Sequence, residues 1–115
     1  MKAILLDPRT GGISGDMLCA ALADLTGSAE PLHAVADAIA ALPRCSVFEI
    51  ALGRVEKPFS AAVLSITLEE ELIGSDGDLA DEMDAVIRKI GLSPRAAVQA
   101  HAILADLVSV KNRLH

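Results

Sequence analysis

Residues 47–69, VFEIALGRVEKPFSAAVLSITLE, carry two alternations of apolar and polar side chains separated by a connection that bears Gly53 and Pro58. In the first, Phe48, Ile50 and Leu52 point one way and Val47, Glu49 and Ala51 the other. In the second, Ala62, Leu64, Ile66 and Leu68 share a face, while Ser65, Thr67 and Glu69 take the opposite one. A period of two is the mark of a strand buried on one side, so the stretch predicts two half-buried strands joined as a hairpin with a longer loop.

Upstream, Ala3-Ile4-Leu5-Leu6 is a short continuous apolar run closed by Asp7-Pro8, as a central strand would be. Gly11 and Gly12 then permit a sharp bend. Ser14 is a good N-cap for a helix with Leu18, Ala21, Leu22 and Leu25 on one side, and Ile13 with Leu18 can form a hydrophobic staple. Gly27 ends that helix. Ser28 can cap a second, striped by Leu32, Val35, Ile39 and Leu42 and stopped by Pro43.

Downstream, Asp78 is a fair cap for a third helix with Leu79, Met83, Val86, Ile87 and Ile90, which Gly91 terminates. Ser93-Pro94 opens a fourth. The order β-α-α-β-β-α-α predicts an α+β fold. Four helices pack on a small, mainly antiparallel sheet of three strands, or of more if it pairs with another sheet. The chain, residues 1–115, reads as one domain without internal repeats.

Composition narrows the function. The chain has a formal charge of −6 and only two aromatic residues, both Phe. Neither an electrostatic grip on nucleic acid nor stacking on bases is expected from that inventory, and the acidic balance disfavours an anionic membrane surface. Cys19 and Cys45 form no CxxC and read as reduced, packed thiols. The apolar run at the amino end is too short for a signal peptide, and no segment reaches the roughly 20 apolar residues of a bilayer span. A cytoplasmic protein is expected.

The densest chemistry lies at residues 7–17, DPRTGGISGDM. Amides freed at the start of a helix can converge on an anion, here around Ser14 and the N–H groups of Gly15, Asp16 and Met17. The stretch is neither a Walker A loop nor a GxGxxG fingerprint. Asp16 opposes a phosphate unless a cation bridges them, and Asp7 with Asp16 could jointly hold such a hard ion. The same residue types also make ordinary turns and caps, in which Asp16 serves the helix dipole. Both readings stand on the residues alone.

DPRTGGISGDMLCAALADL resembles the opening signature of the nickel-insertion proteins of lactate racemase maturation, the LarC family. EIALGRVEKPFSAAVLSITLEEE is similar to the family's paired strands, and LSPRAAVQAHAILADLVSVKNRLH to its helix that opens Leu-Ser-x-Arg and ends in Val-His. The resemblance runs the length of the chain in order but covers only the family's first domain. It implies a protein that inserts nickel into a pyridinium bis-thiocarboxylate mononucleotide in a CTP-dependent reaction, with CTP bound by the family's C-terminal domain. That domain would then be carried by a separate partner chain, unless the chain is a fragment or a remnant, or does something simpler.

By motif, Asp7, Gly12, Ser14, Gly15 and Asp16 match the signature and His115 the terminal histidine. The resemblance thus makes Gly12, Ser14, Gly15 and Asp16 candidates to hold the cofactor precursor. Asp7, Asp16 and His115 are candidates for nickel or for an accessory magnesium or manganese ion. The family's histidine-rich tract after the hairpin is replaced by EEELIGSDGDLADE, so this chain is not expected to catalyse insertion unaided. A non-catalytic module that binds metal or a phosphate-bearing ligand, or docks on a second subunit, is the alternative, and a homo-oligomer is compatible with either.

Elsewhere, His101 falls in the stripe of the fourth helix as a core or edge histidine, and His33 reads as exposed. Glu82, Asp84 and Lys89 read as a solvated face, Glu69-Glu70-Glu71 as a solvated strand end, and Arg54 with Lys57 as solubilising loop charges.

Overall fold

The computed structural model describes residues 1–71 and 76–114, and the side chains of those residues apart from 76–78. Its elements are α1 (Gly15–Thr26), α2 (Glu30–Ala40), β1 (Cys45–Val55), β2 (Ala61–Glu70), α3 (Asp76–Lys89) and α4 (Pro94–Leu114). The strands pair antiparallel in a two-stranded sheet, with Leu52 opposite Leu64, Ile50 opposite Ile66 and Phe48 opposite Leu68. Cross-strand partners share a face, so both apolar rows lie on the same side, as the alternation predicts. α1 packs against β2 and α2 against β1, and α3 links α2 to α4.

Among the described residues the sheet has two strands, not three, and the order is α-α-β-β-α-α: residues 3–6 pair with neither strand. A continuous apolar run becomes a strand only where an edge accepts its amides and neighbours cover its faces. Neither happens here, and Leu5 is 93% exposed. The α+β class and the four helices hold, but only α1 and α2 pack on the sheet. α3 packs on α2 and α4 instead, because the short two-stranded sheet offers room for two helices.

Sequence punctuation sets the helix ends. Ser14 caps α1, its Oγ accepting from the Met17 N–H, although at a weak 3.5 Å. Gly27 closes α1 in the left-handed region at φ 71, and its N–H donates to the Ala23 carbonyl. Ser93 caps α4 by accepting from the Ala96 N–H. Two assignments shift. α2 is capped at Ala29 without a side-chain bond, because Pro31 at its first turn already supplies a preset φ and lacks a donor to satisfy. Asp78 lies inside α3, which begins two residues earlier.

The core is small and built largely from alanine: Ala20, Ala23, Ala36 and Ala38, with Leu64 and Val86. Alanines let α1 and α2 approach the sheet closely. They displace the expected leucine stripe of α1, leaving Leu22 and Leu25 at the surface. The stripes of α2 and α3 lie inward as expected, with Leu32, Val35, Ile39, Met83 and Ile87 half-buried.

Ion pairs among the described residues correct the expectation that these charges are solvated. Arg44, 8% exposed, donates from Nε to Glu82 of α3 and from Nη1 to Glu70 of β2, so neither glutamate belongs to a free face. Arg54 of β1 joins Asp24 of α1 and donates to Ser60 Oγ at 3.0 Å. Asp84 likewise holds His101 and Arg88. No helix among the described residues is long and apolar enough to cross a membrane.

Candidate functional site

The bend at residues 7–17 is built by two local closures. Gly12 takes φ 73, a conformation that costs other residues strain, and its N–H donates to the Pro8 carbonyl at 2.8 Å. Arg9 folds back on Asp7: its Nε and Nη2 lie 2.8 and 2.7 Å from the two carboxylate oxygens, and its N–H adds a third bond. The guanidinium first, and the amide second, hold the Asp7 carboxyl below its usual range. Asp7 is therefore neutralised within its own turn.

Asp16 is engaged one turn later. The Ser14 hydroxyl donates to its carboxylate, and the Met17 amide lies within reach of the same group. The Ser14 bond leads the causes that hold the Asp16 carboxyl below its usual value, as expected of an acid in the first turn of a helix. The side chain thus occupies donors that an incoming anion would use. It also borders a hollow of about 70 Å³ against β2, lined by Met17, Ala20, Ala62, Val63 and Leu64. Apart from the Asp16 carboxylate its lining side chains are apolar, and the volume excludes a whole nucleotide.

The structure thus brings Ser14 and Asp16 together beside Gly15 at the open start of α1 and places Gly12 at the preceding turn. Asp7 is tied to Arg9 instead. The expectation for His115 lies outside the described residues. Among the described residues, no group of three or more His, Cys, Asp or Glu side chains could hold a metal ion.

A second polar locus was missed. A cleft of about 790 Å³ between α3 and α4 is lined by Asp81, Asp84, His101, Ser109 and Asn112 among others. His101 Nδ1 sits 2.8 Å from the Asp84 carboxylate, which satisfies this histidine at the edge of the helix pair. The two residues flank the turn at Gly91 on consecutive helices, so an antiparallel helix hairpin is the signal that could have brought them near each other. The cleft is larger than the hollow beside Asp16 but open, and among the described residues no three ligands converge on one ion there, so its size alone assigns it no chemistry.

Comparison with known proteins gives the chain its family. The model of the nickel insertion protein family matches residues 4–115, and the chain belongs to that family. No curated protein and no solved structure matches it.

Proposed function

We propose that this chain takes part, in the cytoplasm, in inserting nickel into a pyridinium bis-thiocarboxylate mononucleotide, with the CTP-dependent part of the reaction supplied by a separate chain. The observation that carries the reading is the family match over residues 4–115, which includes the whole bend. Nickel is the handled ion, and hence substrate rather than resident cofactor.

The geometry supports a division of labour at the start of α1. The Met17 amide and the Ser14 hydroxyl would receive the precursor's phosphate, and the Asp16 carboxylate, freed from them, would hold a cation. Gly12 and Gly15 leave the approach open, since a Cβ built at either meets nothing within 4 Å. A helix start then receives negative charge while the carboxylate keeps company with the metal, nickel or an accessory magnesium or manganese. Asp7, held by Arg9, would have to exchange its guanidinium for the ion.

A second reading, a docking module without chemistry of its own, draws on the exposed apolar run Ile4-Leu5-Leu6, which this chain leaves uncovered. Reconstitution separates the two. The purified chain, mixed with a chain carrying the family's C-terminal domain, CTP, nickel and the precursor, is expected to yield nickel-loaded cofactor, and neither chain alone is. Turnover by the 115-residue chain alone would refute the division. A stable complex whose turnover is unaffected by substitutions at Ser14 and Asp16 would favour the docking module.

A further inference from the structure

α4 carries more apolar surface than α3 can cover. Ala97, His101, Leu104, Val108 and Lys111 are half-buried on the side facing α3. A second row, Ala96, Ala100, Ile103, Leu107, Val110 and Leu114, advances by alternating steps of four and three residues. That is an uninterrupted heptad seam along a helix of 21 residues, about 31 Å. Its large members stay open: Ile103 is 60% exposed, Leu107 63%, Val110 50% and Leu114 77%.

The exposed area is large for a chain of this size. The chain exposes 8791 Å², whereas a monomer of 11.9 kDa ordinarily exposes about 5,900 Å². The excess, about 2,900 Å², is more than three times the roughly 800 Å² that each partner gives to a standard interface. A dimer seam on α4 can be filled while the run at residues 3–6 remains available to another partner.

We infer that α4 pairs antiparallel with α4 of a second copy of this chain, through Ile103, Leu107, Val110 and Leu114. The volume pattern of the seam selects that occupant and that direction. The alanines lie in its first half and the large side chains in its second. An antiparallel two-fold near residue 105 sets Ala96 against the partner's Leu114 and Ala100 against the partner's Val110. It also sets Ile103 against the partner's Leu107, so every layer but the central pair joins small to large. Parallel pairing would stack alanine on alanine at one end and leucine on leucine at the other. With α3 packed outside each α4, the product is a four-helix bundle of two hairpins. The inference does not depend on the nickel reading, because the seam involves no residue of the bend.

The antiparallel arrangement has a signature in charge. It brings Asp106 of the two copies alongside each other near the axis, whereas parallel pairing would set Asp106 near the partner's Lys111. Sedimentation equilibrium of the full chain is expected to give twice 11.9 kDa, and Leu107→Glu with Val110→Glu to give the monomer at unchanged helix content. Ala100, Ile103 and Leu107 also line a groove shared with α2 and α3, so Val110→Glu with Leu114→Glu, which spares that groove, provides the control for folding. Asp106→Asn is expected to tighten the dimer several-fold by removing a like-charge contact. Mixing separate Ala100→Cys and Val110→Cys variants under oxidation is expected to give the mixed disulfide in preference to either homodimer. A chain that stays monomeric at every concentration overturns the inference, as does a dimer that survives both glutamate pairs. Cross-linking of Val110→Cys to itself, or a looser dimer in Asp106→Asn, overturns the antiparallel arrangement.

Discussion

Arg44, at the head of β1, donates from Nε to the Glu82 carboxylate of α3, 38 residues further along the chain, at 2.5 Å. The same guanidinium reaches Glu70 Oε1 on β2 at 3.1 Å, and the Arg44 carbonyl accepts from the Glu71 N–H at 2.8 Å. One residue thereby fastens both strand ends to the helix layer. In a molecule whose core is mostly alanine, this junction does what larger side chains would otherwise do.

The first prediction concerns that junction. Removing one partner leaves the other charge poorly compensated, so Glu82→Ala is expected to lower Tm by about 10 °C. Glu82→Leu combined with Arg44→Met, which removes both charges and restores apolar volume, is expected to cost less than the single change. Thermal unfolding followed by circular dichroism makes the comparison. Equal losses in the two variants would contradict the assignment of the pair as structural.

The second concerns the acid limit of α1. The Ser14 hydroxyl and the Met17 amide hold the Asp16 carboxyl below 3.8. A carboxyl depressed in the folded state stabilises it fully above the unfolded value and stops doing so as pH falls through the folded value. The Asp16 contribution is therefore complete at neutral pH, begins to fall below about pH 4 and is lost as pH drops through the depressed folded value. Carbon-detected titration of the side chain is expected to show the depressed value in the native chain and a return toward 3.8 in Ser14→Ala. A value unaffected by that substitution would show that the hydroxyl is not the cause.

The third concerns the Cys45 thiol, which burial first and the nearby Glu70 charge second push above its ordinary 9.0, against the opposing pull of Arg44. Because the thiolate is the reactive form, alkylation of Cys45 by iodoacetamide at pH 8 is expected to be slow and to accelerate only above pH 9. Fast labelling at neutral pH, mapped by mass spectrometry in a Cys19→Ala background, would place the thiol in a different environment.

Local signals in the sequence were legible wherever the physics was local. Ser14, Gly27, Gly91 and Ser93-Pro94 marked helix ends because caps act on the backbone within a few residues. The alternations at 47–52 and 61–69 fixed the hairpin because pairing transfers one strand's period to the other. What required tertiary knowledge was misread. The run at residues 3–6 has the composition of a strand, but pairing depends on an available edge, which composition does not report. Glu82 and Glu70 looked like any solvated acids, since a partner distant in sequence leaves no local trace. Ser28 was a plausible cap displaced by the proline that follows Glu30.

At the candidate site the sequence named the cluster at the start of α1, and the family match encloses it. It gave no sign that Arg9 would take Asp7 out of reach, because a neighbouring cation can equally well point to solvent. The stripe of α4 marks His101 as a core or edge histidine, and the Asp84 carboxylate that satisfies it comes from another helix.

The account turns on whether the opening of α1 receives a phosphate and a cation together. Titration calorimetry of the chain with a pyridinium mononucleotide, in the presence and absence of nickel, addresses this directly. Nickel-dependent binding is predicted for the native chain, with loss of that dependence in Asp16→Ala of unchanged helix content. No binding by the native chain, or equal nickel-dependent binding by Asp16→Ala, would contradict the account.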